Sequence, residues 1–196
     1  MAILTAPPTR NLILTTAREH LRRFGEDKMT IVDVARALGM SHANVYRFFK
    51  NKTEILDAIV DDWLARVEAL IDPILHETSA AGERIEKVVL ELYRRRRNKL
   101  QEDAEVYESF RRIIQLRPDA VATRVRRILE VFEQLIREGM ATGEFNPVDA
   151  PEAAQTLRDA TAIFLHPLMT SSLLSDTTEA RLRNVVRYFL QGIRGD

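Results

Sequence analysis

Residues 30–52 read TIVDVARALGMSHANVYRFFKNK, and this stretch predicts two short helices joined by a tight turn. Thr30 and Ser41 have side chains that can cap the start of a helix, and they lie eleven residues apart. Between them, Gly39 can adopt the positive φ that a tight turn requires, and Ala35 is small enough to let one helix cross the other closely. The stretch therefore has the form of a helix-turn-helix.

The second predicted helix carries polar residues on one side and therefore cannot be entirely core. Its apolar anchors are Val45 and Phe49. In a helix-turn-helix, the outward face near the start of the second helix enters the major groove, where asparagine pairs with adenine and a small residue meets the thymine methyl group. The predicted base-reading residues are His42, Ala43, Asn44 and Arg47. The residues placed instead to bind phosphate, together with the backbone amides at the two capped helix starts, are Tyr46, Lys50 and Lys52.

Charge is distributed unevenly along the chain. Residues 1–55 contain nine lysines and arginines and five acids, so they carry a net charge of +4, and the remainder carries −4 because the whole chain is neutral. A basic N-terminal segment on an acidic body is typical of a phosphate-binding head joined to a domain that does not bind phosphate. The same helix spacing also occurs in proteins that never touch DNA. On these residues alone a second interpretation stays open: a helical ligand-binding or scaffold protein whose head docks a protein partner.

The run from Phe24 to Leu56 resembles the N-terminal domain of transcriptional regulators of the TetR family, the TetR/AcrR type. The resemblance extends without a gap over Phe24-Gly25, Thr30-Ile31, Val34-Ala35, Gly39-Met40-Ser41, Val45-Tyr46, Phe49-Lys50-Asn51-Lys52 and Glu54-Ile55-Leu56. It implies that residues 42–44 face bases. It also implies phosphate contacts at Thr30, Ser41, Tyr46 and Lys52.

Two residues depart from the family pattern. Met29 lies where a second threonine is common, and Phe48 lies where a histidine often contacts the DNA backbone, a contact that Arg47 can supply instead. The resemblance further implies a repressor that a small-molecule effector releases from double-stranded DNA at a palindromic operator. It implies a homodimer formed by the two C-terminal helices, with its two heads about one DNA turn, ~34 Å, or a multiple apart.

Apolar residues recur at spacings of three and four almost throughout the chain, glycine and proline are sparse, and alternating strand patterns are absent. The sequence therefore predicts an all-α fold of about nine helices. The N-terminal head, residues 1–51, contains three helices and includes the helix-turn-helix. A helix from about residue 52 joins it to a larger effector and dimerisation domain, residues 52–196. Predicted helix bounds are 9–24, 83–100, 103–116 and 121–140, with further starts at Asp149 and Asp176. Gly25 is the predicted stop of the first of these helices, and Gly143 is the predicted end of the one that begins at residue 121.

The predicted effector contacts are aromatic residues of the central helices: Trp63, Tyr93, Tyr107, Phe110, Phe132 and Phe164. For each of them, an ordinary core position is favoured over a ligand contact. The run Arg94–Arg97 cannot form one face, because four consecutive helical residues sweep about 300°. It either lies on the surface in salt bridges, with Glu91, Glu102 and Asp103 as partners, or supplies one arginine that anchors an acidic effector.

The residue types present also restrict the function classes. The chain has no cysteine, which excludes disulfides, thiolate metal sites and cysteine nucleophiles. Its four histidines lack the spacing of a helical metal site, and no nucleophile stands beside a base, so neither a metal, a cofactor nor an enzyme is predicted. No apolar run reaches the roughly 18 residues of a membrane span, and the first residues lack the pattern of a signal peptide. We therefore expect a soluble cytoplasmic protein with no membrane partner.

Overall fold

The computed structural model describes residues 9–102, 104, 107–108, 111–112, 115, 118–166, 169 and 178–195; within these ranges the side chains of residues 63–64, 67–68, 99, 118–121 and 123–124 are not described. Eight helices in the described part have defined bounds. They are α1 (Arg10–Lys28), α2 (Ile31–Ala37), α3 (His42–Tyr46), α4 (Lys52–Leu75), α5 (Ala81–Glu102), α6 (Pro118–Ala141), α7 (Ala150–Leu165) and α8 (Glu179–Ile193). The predicted all-α class is confirmed.

The chain divides into two compact units, one formed by residues 1–65 and 99–113 and the other by residues 66–98 and 114–196. In the first unit, α1, α2, α3 and the first part of α4 share one hydrophobic core. Its buried members are Ile13, Leu14, Ala17, Leu21, Met29, Ile31, Val34, Ala35, Val45, Phe49, Ile55, Leu56, Ala58 and Ile59. Each fully buried isoleucine or phenylalanine contributes roughly 1.5–3 kcal/mol relative to an exposed one, so this core fixes α3 against the helices behind it.

Gly25 ends the regular part of α1, as its position in the sequence predicts. Its backbone has φ 77° and ψ 169°, values that interrupt the helix before the final turn at Lys28. The amide of Met29 closes that turn by donating to the carbonyls of Gly25 and Glu26, both at 3.2 Å. The predicted helix 9–24 is thus observed, with one additional turn after the glycine.

The second unit has its own core, drawn from the end of α4 and from α5 to α8. Within α6, Val131, Phe132, Leu135 and Ile136 are buried in this core. Gly143 follows α6 with φ 77°, which confirms the predicted end of that helix. The predicted helix over 103–116 falls largely outside the described residues, and those described within it are helical.

Three helix ends of this unit refine the predicted ones. Asp149 caps α7 by accepting from the amide of Glu152 at 2.9 Å, as predicted. The helix α8 is capped by Thr178, whose Oγ1 accepts from the amide of Arg181 at 3.3 Å, whereas the predicted cap, Asp176, lies outside the described residues. The helix α7 ends at Leu165 in front of an extended His166, because a residue that precedes proline disfavours the helical conformation.

Candidate nucleic-acid interface

The first helix of the predicted helix-turn-helix begins as its sequence requires. The Oγ1 atom of Thr30 accepts from the amide of Asp33 at 3.1 Å and donates to the carboxylate of Asp33 at 2.6 Å. That carboxylate also accepts from Arg36 at 3.0 Å. The predicted cap at Thr30 is therefore confirmed, and it places an acid beside a hydroxyl that the family resemblance assigns to phosphate.

The turn between the two helices is made by Gly39, whose φ is 64°. The amide of Met40 reaches back to the carbonyl of Ala35 at 3.0 Å, which closes the end of α2. A β-carbon at Gly39 would meet no atom within 4 Å, so the requirement for glycine comes from the backbone angle and not from crowding. The predicted role of this glycine is confirmed.

The short helix α3 is anchored on one side and exposed on the other. Val45 is fully buried and Phe49 is 1% exposed, as expected for the two apolar anchors. The opposite side carries all four predicted base-reading residues, of which Asn44 is half-buried and the others are exposed: His42, Ala43, Asn44 and Arg47. The structure thus brings these four together on one outward face of the described head.

The predicted side-chain cap at Ser41 is wrong. Ser41 occupies the N-cap position of α3, but its hydroxyl makes no capping hydrogen bond. The backbone takes its place, because the amide of Asn44 donates to the carbonyl of Ser41 at 3.0 Å in this five-residue helix. The exposed hydroxyl of Ser41 is consequently not committed to holding the helix start.

The start of α4 contains a cap that the sequence interpretation missed. The amide of Glu54 donates to Oδ1 of Asn51 at 2.8 Å, and the carboxylate of Glu54 accepts from the amide of Lys50. This reciprocal pair resembles a capping box and could have been found from the asparagine three residues before a glutamate. Lys50 itself has an exposed side chain.

Lys52 and Tyr46, two of the predicted phosphate-binding residues, have contacts within the head. The Nζ atom of Lys52 donates to the carbonyl of Glu26, so this lysine connects the start of α4 with the last turn of α1. Tyr46 is 48% exposed and its ring meets that of His42 edge-on, with 6.2 Å between the centroids. Phe48, the position that departs from the family pattern, is 37% exposed.

The head also contains an arginine that the sequence interpretation did not single out. The guanidinium of Arg10, the first residue of α1, lies over the ring of Phe49 at 5.1 Å from its centroid. Phe49 lies three residues after the end of α3 and immediately before Lys50, so Arg10 lies on the same part of the head as the predicted phosphate contacts. Because α1 precedes the motif in sequence, only a tertiary contact could reveal this position.

The predicted effector contacts belong to hydrophobic cores where the structure describes them. Tyr93, Phe132 and Phe164 are at most 4% exposed in the core of the second unit, and Tyr107 is 1% exposed in the first. The side chain of Trp63 and all of Phe110 lie outside the described part. Two surface cavities of about 480 and 650 Å³ open on the second unit, and none of the four described residues among these six lines either one.

The run Arg94–Arg97 is divided among several environments, as its angular sweep predicts. Arg94 binds the carboxylate of Glu179 on α8 through two hydrogen bonds of 2.7 and 2.9 Å. Arg97 donates to the hydroxyl of Tyr93 at 2.9 Å, while Arg95 and Arg96 are half-buried. Hydrogen bonding to Glu179, which the sequence did not suggest, and to a lesser extent the charge of the suggested Glu91 raise the pKa of Arg94. Asp103 lies outside the described residues.

Charge accumulates where α7 ends in the second unit. Burial lowers the pKa of His166, and the positive charges of Arg96 and Arg158 lower it further.

Across the described residues, no helix is long and apolar enough to cross a membrane.

Comparison with known proteins places both units in one family. A model described as "Bacterial regulatory proteins, tetR family" matches residues 13–59, and one described as "Tetracyclin repressor-like, C-terminal domain" matches residues 81–186, more than half of the chain. The transcriptional regulator TtgR of Pseudomonas putida is 28% identical over 159 residues, which cover 76% of this chain and 74% of TtgR. The probable regulator ArpR of Pseudomonas putida is 27% identical over 151 residues, covering 72% of each chain.

Solved structures share the fold. A transcriptional regulator from Cytophaga hutchinsonii has a TM-score of 0.74 at 19% identity, covering 94% of this chain and 98% of its own. SmeT, the repressor of the SmeDEF multidrug efflux pump of Stenotrophomonas maltophilia, has a TM-score of 0.71 at 21% identity, covering 97% of this chain and 92% of its own.

Proposed function

This chain belongs to the TetR family of bacterial transcriptional regulators, and on that premise we propose that it is a repressor that binds a palindromic operator as a homodimer and is released by a small molecule. One observation carries the proposal: a closed hydrophobic core holds Val45 inward, so that the opposite face of this helix segment, formed by residues 42–44 and Arg47, is turned outward. A polar helix face held in this way is suited to entering the major groove.

Base reading is assigned to the outward face of α3. Asn44 can make a bidentate pair with the N6 and N7 atoms of adenine, and Ala43 can meet a thymine methyl group. His42 and Arg47 lie on either side of them in sequence and are exposed. Arg47 can pair with guanine, or can supply the backbone contact for which Phe48 has no hydrogen-bonding atom.

Phosphate binding is assigned to residues around this face. The assignment is best supported for Lys50, because its exposed side chain does not have to give up a contact within the head in order to bind phosphate. Ser41 is supported by its uncommitted hydroxyl. Thr30 and Lys52 would have to exchange their present partners, Asp33 and the carbonyl of Glu26, for phosphate oxygens. We propose that Lys50, Ser41 and Tyr46 bind phosphate without such an exchange.

Dimerisation is assigned to α7 and α8. Each helix has an exposed stripe with helical spacing: Glu152, Thr156, Asp159, Ala160 and Ile163 on α7, and Arg181, Asn184, Arg187, Tyr188 and Gln191 on α8. The first stripe carries acids and the second carries arginines, so two copies related by a two-fold axis can pair α7 of one with α8 of the other. Tyr188 lies within this stripe and is 66% exposed, with the guanidinium of Arg187 over its ring at 5.2 Å from the centroid.

Release by an effector is assigned to the predicted effector domain, residues 52–196, and its six predicted aromatic contacts remain predictions. For release to occur, the effector must bind the DNA-incompetent state more tightly, and a coupling free energy of about 1–3 kcal/mol weakens DNA binding roughly 5- to 150-fold. The competing interpretation, a scaffold protein whose head docks another protein, loses its support because the family match includes both the head and the body.

In vitro selection of bound duplexes, followed by competition with metabolite pools, tests this proposal. We expect enrichment of an inverted repeat, binding of two chains per duplex, and release by at least one metabolite fraction. A selection that returns no common sequence would overturn the assignment of base reading, and release by no fraction would overturn the assignment of an effector.

A further inference from the structure

Arg10 is a cation in an unfavourable place for the stability of its own helix. It is the first residue of α1, whose N-cap is Thr9 and whose first turn contains no acid. The N-terminal end of a helix carries a partial positive charge, so an arginine there is repelled unless an anion joins it. In the described part of the chain no carboxylate forms an ion pair with Arg10, and its recorded contact is the ring of Phe49.

Other arginines of the first unit differ from Arg10 in this respect. Arg18 pairs with Asp62 at 2.7 Å and Arg36 pairs with Asp33 at 3.0 Å. Arg112 lies 3.3 Å from the carboxylate of Glu26. The charge of each of these is balanced by a described acid, and their guanidinium groups are therefore less available to an external anion.

The stacking on Phe49 positions the Arg10 guanidinium beside the segment that follows α3. Phe49 is 1% exposed, so its ring offers a fixed platform, and it lies between Arg47 and Lys50 in the segment that leaves α3. A guanidinium that stacks on an aromatic ring keeps its in-plane N–H donors available, and those donors match the geometry of phosphate oxygens. Stacking on Phe49 and in-plane hydrogen bonding to phosphate together require an arginine, whereas a lysine at this position provides only the positive charge.

We infer that Arg10 is a phosphate anchor of the head, one that binds the DNA backbone next to the segment after α3. The inference rests on the DNA binding proposed above. It adds the start of α1 to the phosphate contacts proposed at the start of α2, on α3 and around the start of α4. Because phosphate contacts position a protein without reading sequence, Arg10 should act equally on every DNA sequence.

The test is the salt dependence of DNA binding by Arg10→Met and Arg10→Lys, measured on a selected operator and on a random duplex. Loss of one phosphate contact lowers the slope of log K against log salt by about 0.9, which corresponds to about eightfold weaker binding at 0.1 M relative to 1 M salt. We expect this loss for Arg10→Met on both duplexes. Arg10→Lys should keep most of the slope, because its charge is retained. Methionine is chosen because its long apolar side chain can still cover Phe49.

Arg23→Met is the matched control. Its guanidinium also lies over an aromatic ring, that of Phe24, at 5.4 Å from the centroid. Arg23 lies thirteen residues after Arg10, which places it about 20 Å further along α1 and roughly on the opposite side of the helix. The salt slope of Arg23→Met should therefore equal that of the unaltered chain. Thermal unfolding of each variant separates a loss of folding from a loss of contact.

Three outcomes would overturn the inference: an unchanged slope in Arg10→Met, a loss confined to the selected operator, or an equal loss in Arg23→Met. The first would make Arg10 a cover for Phe49 only, and the second would make it a base reader. If the unaltered chain bound neither duplex, the proposed DNA-binding function itself would fail, a result distinct from all three.

Discussion

At the scale of single residues, sequence recognition is assigned most specifically to Asn44. It is half-buried on α3 between the exposed Ala43 and the fully buried Val45, whose packing behind it holds its amide at the surface. Replacing Asn44 with alanine removes a bidentate base contact, and we expect a loss of roughly 1–3 kcal/mol on the selected operator with little change on random DNA. Competition binding on the two duplexes measures the difference.

Lys50→Ala provides the contrasting result at the same scale. Its side chain is exposed, so its removal should weaken binding to both duplexes alike and reduce the salt slope by about one. An Asn44→Ala variant that kept the preferred sequence, or a Lys50→Ala variant that changed it, would reverse the assignment of base readers and phosphate binders.

At the scale of elements, the two caps of the helix-turn-helix differ in a way that separates stability from binding. The hydroxyl of Thr30 accepts from the amide of Asp33, whereas the hydroxyl of Ser41 makes no capping bond. We therefore expect Thr30→Ala to lower the free energy of unfolding of the head by about 0.5–2 kcal/mol. Ser41→Ala should change stability much less and weaken DNA binding instead. Thermal unfolding followed by circular dichroism, paired with DNA titration, decides between them; equal destabilisation in both variants would contradict the structure.

The pairing of α5 with α8 gives the second unit a defined response to acid. Hydrogen bonds from Arg94 and then Arg183 lower the pKa of Glu179 to about 2. A carboxylate with a lowered folded pKa stabilises the fold above its ordinary pKa of 4.5, and this contribution is lost as the pH falls from there towards 2. Urea unfolding should therefore distinguish Glu179→Gln from the unaltered chain clearly at pH 7 and much less at pH 3.

Glu133→Gln is the control for this pH series. Glu133 pairs with Arg137 at 2.6 Å within one helix, and such an exposed pair contributes only about 0–1 kcal/mol. The free energy of unfolding of Glu133→Gln should therefore differ little from that of the unaltered chain at pH 7. A Glu179→Gln effect of the same size at both pH values would show that the arginine contacts do not act through the carboxylate charge.

Most of these helices and turns could be predicted because they depend on residues that are close in sequence. The features that the sequence interpretation missed depend on contacts between residues that are distant in sequence. Helix periods, Gly25, Gly39, Gly143 and the cap at Thr30 are encoded within a few residues, so the sequence was sufficient for them. The start of α5 is different, because its amides at Ala81 and Gly82 donate to Glu144, which lies 63 and 62 residues away respectively. No local pattern marks such a partner, and the stacking of Arg10 on Phe49 was missed for the same reason.

At the scale of the whole molecule, the proposed dimer depends on the exposed stripes of α7 and α8. A glutamate at Tyr188 would place a charge in the centre of the interface, so Tyr188→Glu should shift the molecule to monomer at micromolar concentration. Leu12→Glu, at a 38% exposed position of α1, is the control and should remain dimeric. Light scattering measures both masses. A dimeric Tyr188→Glu, or a monomeric unaltered chain, would contradict the assignment of the interface.

The central claim is that residues 30–52 bind double-stranded DNA in a sequence-specific manner. The most direct test measures the affinity of the unaltered chain for a selected operator and for a random duplex between 50 and 200 mM salt. Several lysine and arginine contacts to phosphate predict that log K falls linearly with log salt on both duplexes, with the operator bound about 10³-fold or more tightly throughout. Equal affinity for the two duplexes, or an affinity that does not respond to salt, would contradict the claim.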